Sequence, residues 1–512
     1  MARSSYPNWH QNRFKTAPFY LITLEAWRRG LAVTFTQDIK NYEIRSPLRS
    51  LKFSKSLLLD PEWGLRTHEI CENKDTAKQY MSKAGVPVPR GRQFRLSDSR
   101  EDILAQAAEL GYPVVLKPVS GYKGKGVFPE IPDEASLVRA LNHLRHELGY
   151  RDLLLEEHVA GDDHRIFVLA GKAFAALRRV PANVIGNGRD TIRKLIDEKN
   201  RARQKNPHTG EKLIRFDRDA TDNLRRKGYT FDSVPAEGEM IFLQKKSNVS
   251  YGGDFIDVTD SLPAHVKQTA VRAVKAIPGL HHGGVDVLYD SRDPQGLAVV
   301  IEINSMAEFG GHLYPVQGTP RDVAAAIIDA CFPESMEMQG RNGSLFYDVI
   351  RLHATLEAAP DAPVTLPHPP EFELYCREIL VSGRVQGVGF RRWAFSEAER
   401  LGISGYATNS EDGRVRLFAA GRAEDVAEFE MLCRRGPTGA RVERITSEPA
   451  DQPVIMGFII VRRGGAASVT AGNWYKVLIQ KGRKTAKKLL GSLRLMGLMQ
   501  HLNKKNDKNR SA

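Results

Sequence analysis

Cysteine is scarce in this sequence. Cys71, Cys331, Cys376 and Cys433 are the four among 512 residues, far apart and without a CxxC pair. That spacing argues against a disulfide framework or a cysteine-only zinc site and makes a reducing cytoplasm the expected setting. Long apolar runs are missing too, since none approaches the roughly 18–20 residues that a membrane-spanning helix needs. The apolar stretch at 17–24 is followed at once by Glu25 and then by Arg28 and Arg29, a poor pattern for a secretory signal. There is no internal repeat. What remains, 41% hydrophobic and 27% charged residues, describes a globular chain of two to four domains at about 150 residues each.

The net charge of +14 hints at nucleic acid, but its distribution argues otherwise. Residues 470–512 hold eleven basic residues and one acid, so this tail carries +10 and the other 469 residues only +4. A nucleic-acid binder would need basic residues interleaved with aromatics on the folded body, and no such partner is expected. In the tail, Leu489, Leu493, Met496, Met499 and Leu502 recur at helical spacing beside Lys484, Lys487, Lys488 and Arg494. Such a segment could meet an anionic membrane surface or a protein partner, or lie as a solvated tail.

Short apolar runs at 114–116, 153–155 and 299–303 alternate with helical patterns at 102–110 and 264–276, which indicates α/β architecture up to about residue 334. Pro360, Pro363, Pro367, Pro369 and Pro370 crowd the next stretch, which reads as a semi-rigid linker. From 376 to 463 a strand, helix, two strands, helix and two strands follow, the ferredoxin-like βαββαβ order with an extra edge strand. The expected division is an N-terminal lobe at 1–72, a nucleotide-binding domain at 73–335, a linker at 336–375, a small domain at 376–463 and the basic tail at 464–512. Overall, the class is a multidomain α/β and α+β chain.

Three segments of the first block carry chemistry. An apolar strand ends in Lys117 and runs into a loop with Gly121, Gly124 and Gly126. Such a loop can fold its N–H groups over phosphate while the lysine supplies a point charge; by itself it could equally be a surface hairpin. Next, Glu156, Glu157 and Val159 sit at a strand end with Asp163 just beyond, where carboxylates and backbone can meet a purine and its ribose. Read alone, this is also an ordinary strand entering an acidic loop. The third segment decides. Asp286 lies within an apolar strand, and Glu302 and Asn304 alternate on another, which puts the latter two on one face. Two carboxylates and an amide oxygen on neighbouring strands make a poor core and a good magnesium site.

From 73 onward the chain resembles the ATP-grasp carboxylate–amine ligases, in the branch found in cyanophycin synthetase and bifunctional glutathione synthetase. The resemblance rests on Asn73-Lys74-Asp-Thr-Ala-Lys, Ala84-Gly-Val-Pro-Val-Pro, Arg179-Val-Pro-Ala-Asn-Val-Ile-Gly-Asn-Gly, Asn248-Val-Ser-Tyr-Gly-Gly, Asp257-Val-Thr-Asp and Cys331-Phe-Pro-Glu. It implies that Lys74 and Lys117 contact phosphates under a mobile loop at 121–126. It further implies that Glu156, Glu157 and Val159 frame adenine, that Asp163 meets the ribose, and that Asp286, Glu302 and Asn304 hold two Mg2+ ions with ATP. Arg179 is assigned to the acyl phosphate or substrate carboxylate. The implied partners are an amino-acid or peptide carboxylate and an amine acceptor, in a homo-oligomer. Asn187 and Tyr251 depart from the family pattern on the substrate side.

In the second domain, Val381-Ser-Gly-Arg-Val-Gln-Gly-Val-Gly-Phe-Arg391 sets three glycines and two arginines between a strand and a helix. The loop can aim N–H groups at one anion beside a helix N-terminus, with Arg391 gripping two phosphate oxygens. Over 378–463 the chain resembles acylphosphatase, whose catalytic arginine and asparagine correspond to Arg391 and Asn409. The expected function is therefore an ATP-dependent ligase acting through an acyl phosphate, joined to a hydrolase of carboxyl phosphates. The alternative is an acyl-phosphate hydrolase whose first block only generates or binds that compound. A nucleotide-binding regulator without chemistry would lack a metal ligand, and all three are present.

Overall fold

A computed structural model describes residues 17–95, 97–119, 126–244, 249–293, 295–359 and 361–461. Gly121, Gly124 and the basic tail lie outside the described residues. The chain divides into two units, one built mainly from 53–331 and the other from 19–52 with 332 onward.

The first unit contains a four-stranded and a five-stranded sheet. The smaller has the order Gly91–Phe94, Leu153–Glu157, Val114–Pro118, Phe128–Ile131. The larger has the order Asp254–Asp257, Lys172–Val180, Asp162–Leu169, His282–Tyr289, Val299–Asn304. All pairings in both are antiparallel. In the larger sheet, alternation sorts the residues by face. Ile166, Val168, Val285, Val287, Val300 and Ile303 join a core with Val266, Ala270, Ala273 and Val274 of the helix Ala264–Ala276. The intervening Asp163, Arg165, Asp286, Glu302 and Asn304 fall on the other face. A bulge between Asp286 and Val287 leaves Ile301 unpaired. It returns Val300 to the core while keeping Glu302 and Asn304 outside.

The helix Lys74–Lys83 joins the same core through Ala77 and Met81. Asn73 caps it, accepting from the Thr76 N–H at 3.0 Å, which satisfies one of the donors that a helix start leaves open. Lys74 and Lys78 therefore lie one turn apart on a shared face. Between 183 and 243 a small lobe has its own core of Val184, Ile192, Ile196, Leu224 and Ile241. Buried Asp254 ties it down, accepting from Lys199 Nζ at 2.6 Å, Arg203 Nη1 at 2.8 Å and Asn183 Nδ2 at 3.2 Å.

The second unit corrects the reading of 336–375 as a linker. That stretch contains the helix Val349–Ala358 and two short strands. One of them, Val364–Thr365, pairs with Phe35 and Thr34 of the strand Ala32–Phe35. Tyr347 packs against Tyr20 and Trp27, and the Trp27 indole donates to the Pro367 carbonyl at 2.6 Å. Prolines suit a segment that has only one strand neighbour to satisfy.

The same unit ends in a five-stranded sheet of order Arg441–Pro449, Tyr375–Arg384, Val415–Gly421, Ser404–Asn409, Phe458–Val461. The helices Phe390–Arg400 and Ala423–Arg435 pack on it through Phe390, Ala394, Ala398, Val426 and Phe429. This is the expected ferredoxin-like arrangement.

Two measurements probe this architecture. Asp254→Asn strands two cations against a neutral amide, and denaturant unfolding should show a loss of about 3–5 kcal/mol. Burial also holds two histidines neutral, lowering His282 from 6.5 to about 4 and His312 to about 3. The unfolded chain takes up protons near pH 6.5 that the native chain refuses. Stability should therefore fall as pH drops from 6.5 toward 4, by up to about 1.4 kcal/mol per pH unit per histidine. Unfolding midpoints independent of pH across that window would contradict it.

Candidate functional site

The site begins with Lys117 and Glu156, diagonal neighbours across the paired strands Val114–Pro118 and Leu153–Glu157. Glu156 is only 2% exposed, and its carboxylate accepts from Lys117 Nζ at 2.6 Å and Lys78 Nζ at 2.8 Å. Burial alone would raise its pKa, but Lys117 and then Lys78 pull it below the ordinary value. Glu156 thus fixes two lysine heads beside the strand from which the glycine-rich loop departs. Of that loop, Gly126 is described. A Cβ there would stand 3.0 Å from Leu144, Pro118 and Tyr150, and its φ of +73° is unfavourable for side chains, so only glycine fits.

Lys74 reaches the other sheet, its Nζ 3.3 Å from Glu302 Oε1. One helix therefore offers lysines to carboxylates on two sheets. Glu302 is the register partner of Asp286, and Asp286 in turn that of Arg165. Asn304 faces Gly284 one step along. The expected oxygen donors are thus gathered on adjacent strands. Asn304 Nδ2 is buried without a hydrogen-bond partner, which marks this end of the row as unsatisfied. Two carboxylates with an amide oxygen suit a hard divalent cation. Among the described residues no group of three or more His, Cys, Asp or Glu side chains could hold a metal ion.

Other expected site residues have partners within the chain. Glu156 and Glu157 do not offer free carboxylates to adenine. Glu156 is bound to lysines, and Glu157 accepts from the Arg90 backbone N–H at 2.8 Å and its side-chain Nε at 2.6 Å. Val159 is half-buried just beyond. Asp163 is engaged by Arg179, whose Nη2 and Nε lie 2.6 and 3.0 Å from Oδ1, instead of standing open for a ribose. Arg179 Nη2 also lies 3.0 Å from Asp286 Oδ2, and Arg165 contacts both Asp286 oxygens. Burial pushes the Asp163 carboxyl up, and neighbouring Asp286 adds to the rise that Arg179 opposes. Against the same burial penalty, Arg165 and Arg179 hold Asp286 below its ordinary value. Lys78 and Arg165 carried no expected role. Lys78 was detectable from its i+4 relation to Lys74, whereas Arg165 depends on cross-strand register.

In the small domain, Gly389 adopts a left-handed φ of +79° and caps the helix Phe390–Arg400, with Arg391 at its second position. Gly387 is also left-handed at +78°. Gln386 donates to the carbonyls of Ser410 at 2.9 Å and Arg414 at 2.8 Å, tying the loop to the hairpin that follows Asn409. The residues Asn409, Val415 and Val381 are register partners in sequence, so the Val415–Gly421 strand intervenes and all three sit at the loop's end of the sheet.

A family profile described as acylphosphatase matches residues 377–460, and one described as the carbamoyl-phosphate synthase L chain, ATP binding domain, matches 73–167. The chain carries an ATP-grasp module and an acylphosphatase domain. It is 36% identical to a cyanophycin synthetase of Trichormus variabilis over 54% of this chain and 31% of that one. It is 33% identical to a bifunctional glutathione biosynthesis protein of Enterococcus faecalis over 62% and 42%. The crystal structure of Bacillus subtilis acylphosphatase is 33% identical, with a TM-score of 0.16, over 17% of this chain and 99% of that one. The chain thus spans about a third to two-fifths of the curated relatives' length. The profiles cover Lys74, Lys117 and Glu156 in the ATP-grasp module and Arg391 and Asn409 in the acylphosphatase domain.

Glu156→Gln leaves two buried lysines sharing a neutral amide. Unfolding free energy should drop by about 3–5 kcal/mol; a loss under about 1 kcal/mol would mean that the lysines are solvated rather than held.

Proposed function

We propose that the ATP-grasp module phosphorylates a carboxylate of an amino acid or peptide with ATP and delivers the acyl phosphate to an amine, forming an amide. The observation that carries this reading is the cross-strand row Asp286–Glu302 with Asn304 beside it, flanked by Lys74, together with Lys117 fixed by Glu156. Lys74 and Lys117 bind phosphate oxygens and lower the charge of the nucleotide. Asp286, Glu302 and Asn304 hold Mg2+, which when bound screens the phosphates and makes phosphorus more electrophilic. Arg179 orients the substrate carboxylate, so that two anions can meet at bonding distance. The carboxylate oxygen attacks the γ-phosphorus and ADP leaves. The amine then attacks the carbonyl carbon, phosphate departs with the shared oxygen, and the amine proton passes to solvent.

The acylphosphatase domain hydrolyses carboxyl phosphates. Arg391 and the loop N–H groups bind the phosphoryl oxygens, and the Asn409 amide orients the attacking water. One domain makes a carboxyl phosphate and the other destroys one, which gives release of acyl phosphates that miss their amine. The profile match across 377–460 also supports a second reading, in which hydrolysis is the main output and the ATP-grasp module only supplies acyl phosphate.

A screen of amino acids and dipeptides for Mg2+-dependent ADP release, with mass detection of products, separates these readings. An amide product supports the ligase, whereas ADP and phosphate without amide support the hydrolase. For the release role, Arg391→Ala should lower the ADP formed per amide; an unchanged ratio would count against it.

A further inference from the structure

Asp286 is already gripped by two guanidinium groups. Its side chain is 4% exposed; Arg165 engages both oxygens, and Arg179 Nη2 reaches Oδ2 at 3.0 Å while Arg165 Nη2 reaches the same atom at 3.1 Å. A hard cation binds through the carboxylate lone pairs that these N–H groups occupy. Oδ2 carries two of these N–H groups and Oδ1 one, so a cation that takes Oδ2 displaces a guanidinium.

The two arginines are not equally placed to yield. Arg165 lies across Gly284, where a Cβ would come within 3.1 Å of its Nη1 and 3.2 Å of its Cδ. Gly284 precedes Asp286 by one same-face step, so the missing side chain forms the bed that keeps the Arg165 fork on Asp286. Arg179 has a second carboxylate already in hand, Asp163 at 2.6 Å. It can leave Asp286 without losing its counter-charge. The local balance points the same way: Arg165 and Arg179 neutralise Asp163 and Asp286, and Lys74 neutralises Glu302. An added dication is then welcome only with the anionic phosphates that offset it.

We propose that Arg165 is a fixed positioning residue for Asp286, and that Arg179 is an exchangeable counter-charge, surrendering Asp286 to a magnesium–nucleotide complex. The released guanidinium then turns to the incoming carboxylate. This inference rests on the ligase reading and adds an order to it: nucleotide and metal bind before the acid.

The test is calorimetric titration of the full chain with a non-hydrolysable ATP analogue at increasing Mg2+, without turnover. Arg179→Met removes the competitor, so half-maximal nucleotide binding should need several-fold less Mg2+ than in the wild type. Arg179→Lys keeps the charge and should stay near wild type. Arg165→Lys keeps the charge but loses the fork that orients Asp286, so the Mg2+ requirement should rise several-fold, with the unfolding midpoint confirming an intact fold. An Arg179→Met requirement that is unchanged or higher overturns the exchange while leaving the ligase reading in place. A wild-type chain that binds no magnesium–nucleotide removes both.

Discussion

A carboxylate taken out of water must find positive charge, and Asp286 is the residue on which that requirement presses hardest. It sits 3% exposed in the second strand from the edge of the larger sheet. Leaving such a group unpaired costs several kcal/mol. The sheet solves the problem through alternation, which lines up Arg165, Asp286 and Glu302 as register partners on one face while Val285, Val287 and Ile303 close the other. The bulge beside Asp286 lets both demands be met on one edge strand. A charged row backed by a packed core leaves little to reorganise, which is what the proposed meeting of two anions requires.

The two regions proposed to handle phosphate use different tools. In the ATP-grasp module, lysine heads act as point charges fixed by carboxylates: Lys117 and Lys78 by Glu156, Lys74 by Glu302. The acylphosphatase domain relies on backbone instead, with Gly387 and Gly389 in left-handed conformations leading into a helix that carries Arg391. Point charges suit a polyphosphate that is held while one group is transferred. A cradle of N–H groups with a forked guanidinium suits a single phosphoryl group held by its oxygens.

Much of this was legible from residue type and spacing. The βαββαβ order of the small domain follows from short alternating runs and two helical patterns. Glu302 and Asn304 on one face follow from period two. What escaped was whatever depends on partners distant in sequence. Arg165 reads as one more charge in an acidic loop until the pairing of Asp162–Leu169 with His282–Tyr289 sets it against Asp286. Glu156 and Asp163 look like free acceptors until Lys78 and Arg179 are found on them. The proline cluster signals a linker because proline removes donors, yet an edge position such as Val364–Thr365 has donors to spare.

In the proposed reaction a carboxylate is activated by becoming a phosphoryl acceptor. Heavy-oxygen labelling tests it most directly. With an acid substrate labelled in both carboxylate oxygens, the phosphate released alongside the amide should carry a single labelled oxygen, because amine attack at carbon leaves that oxygen on phosphorus. Amide formed with wholly unlabelled phosphate would contradict the acyl-phosphate route.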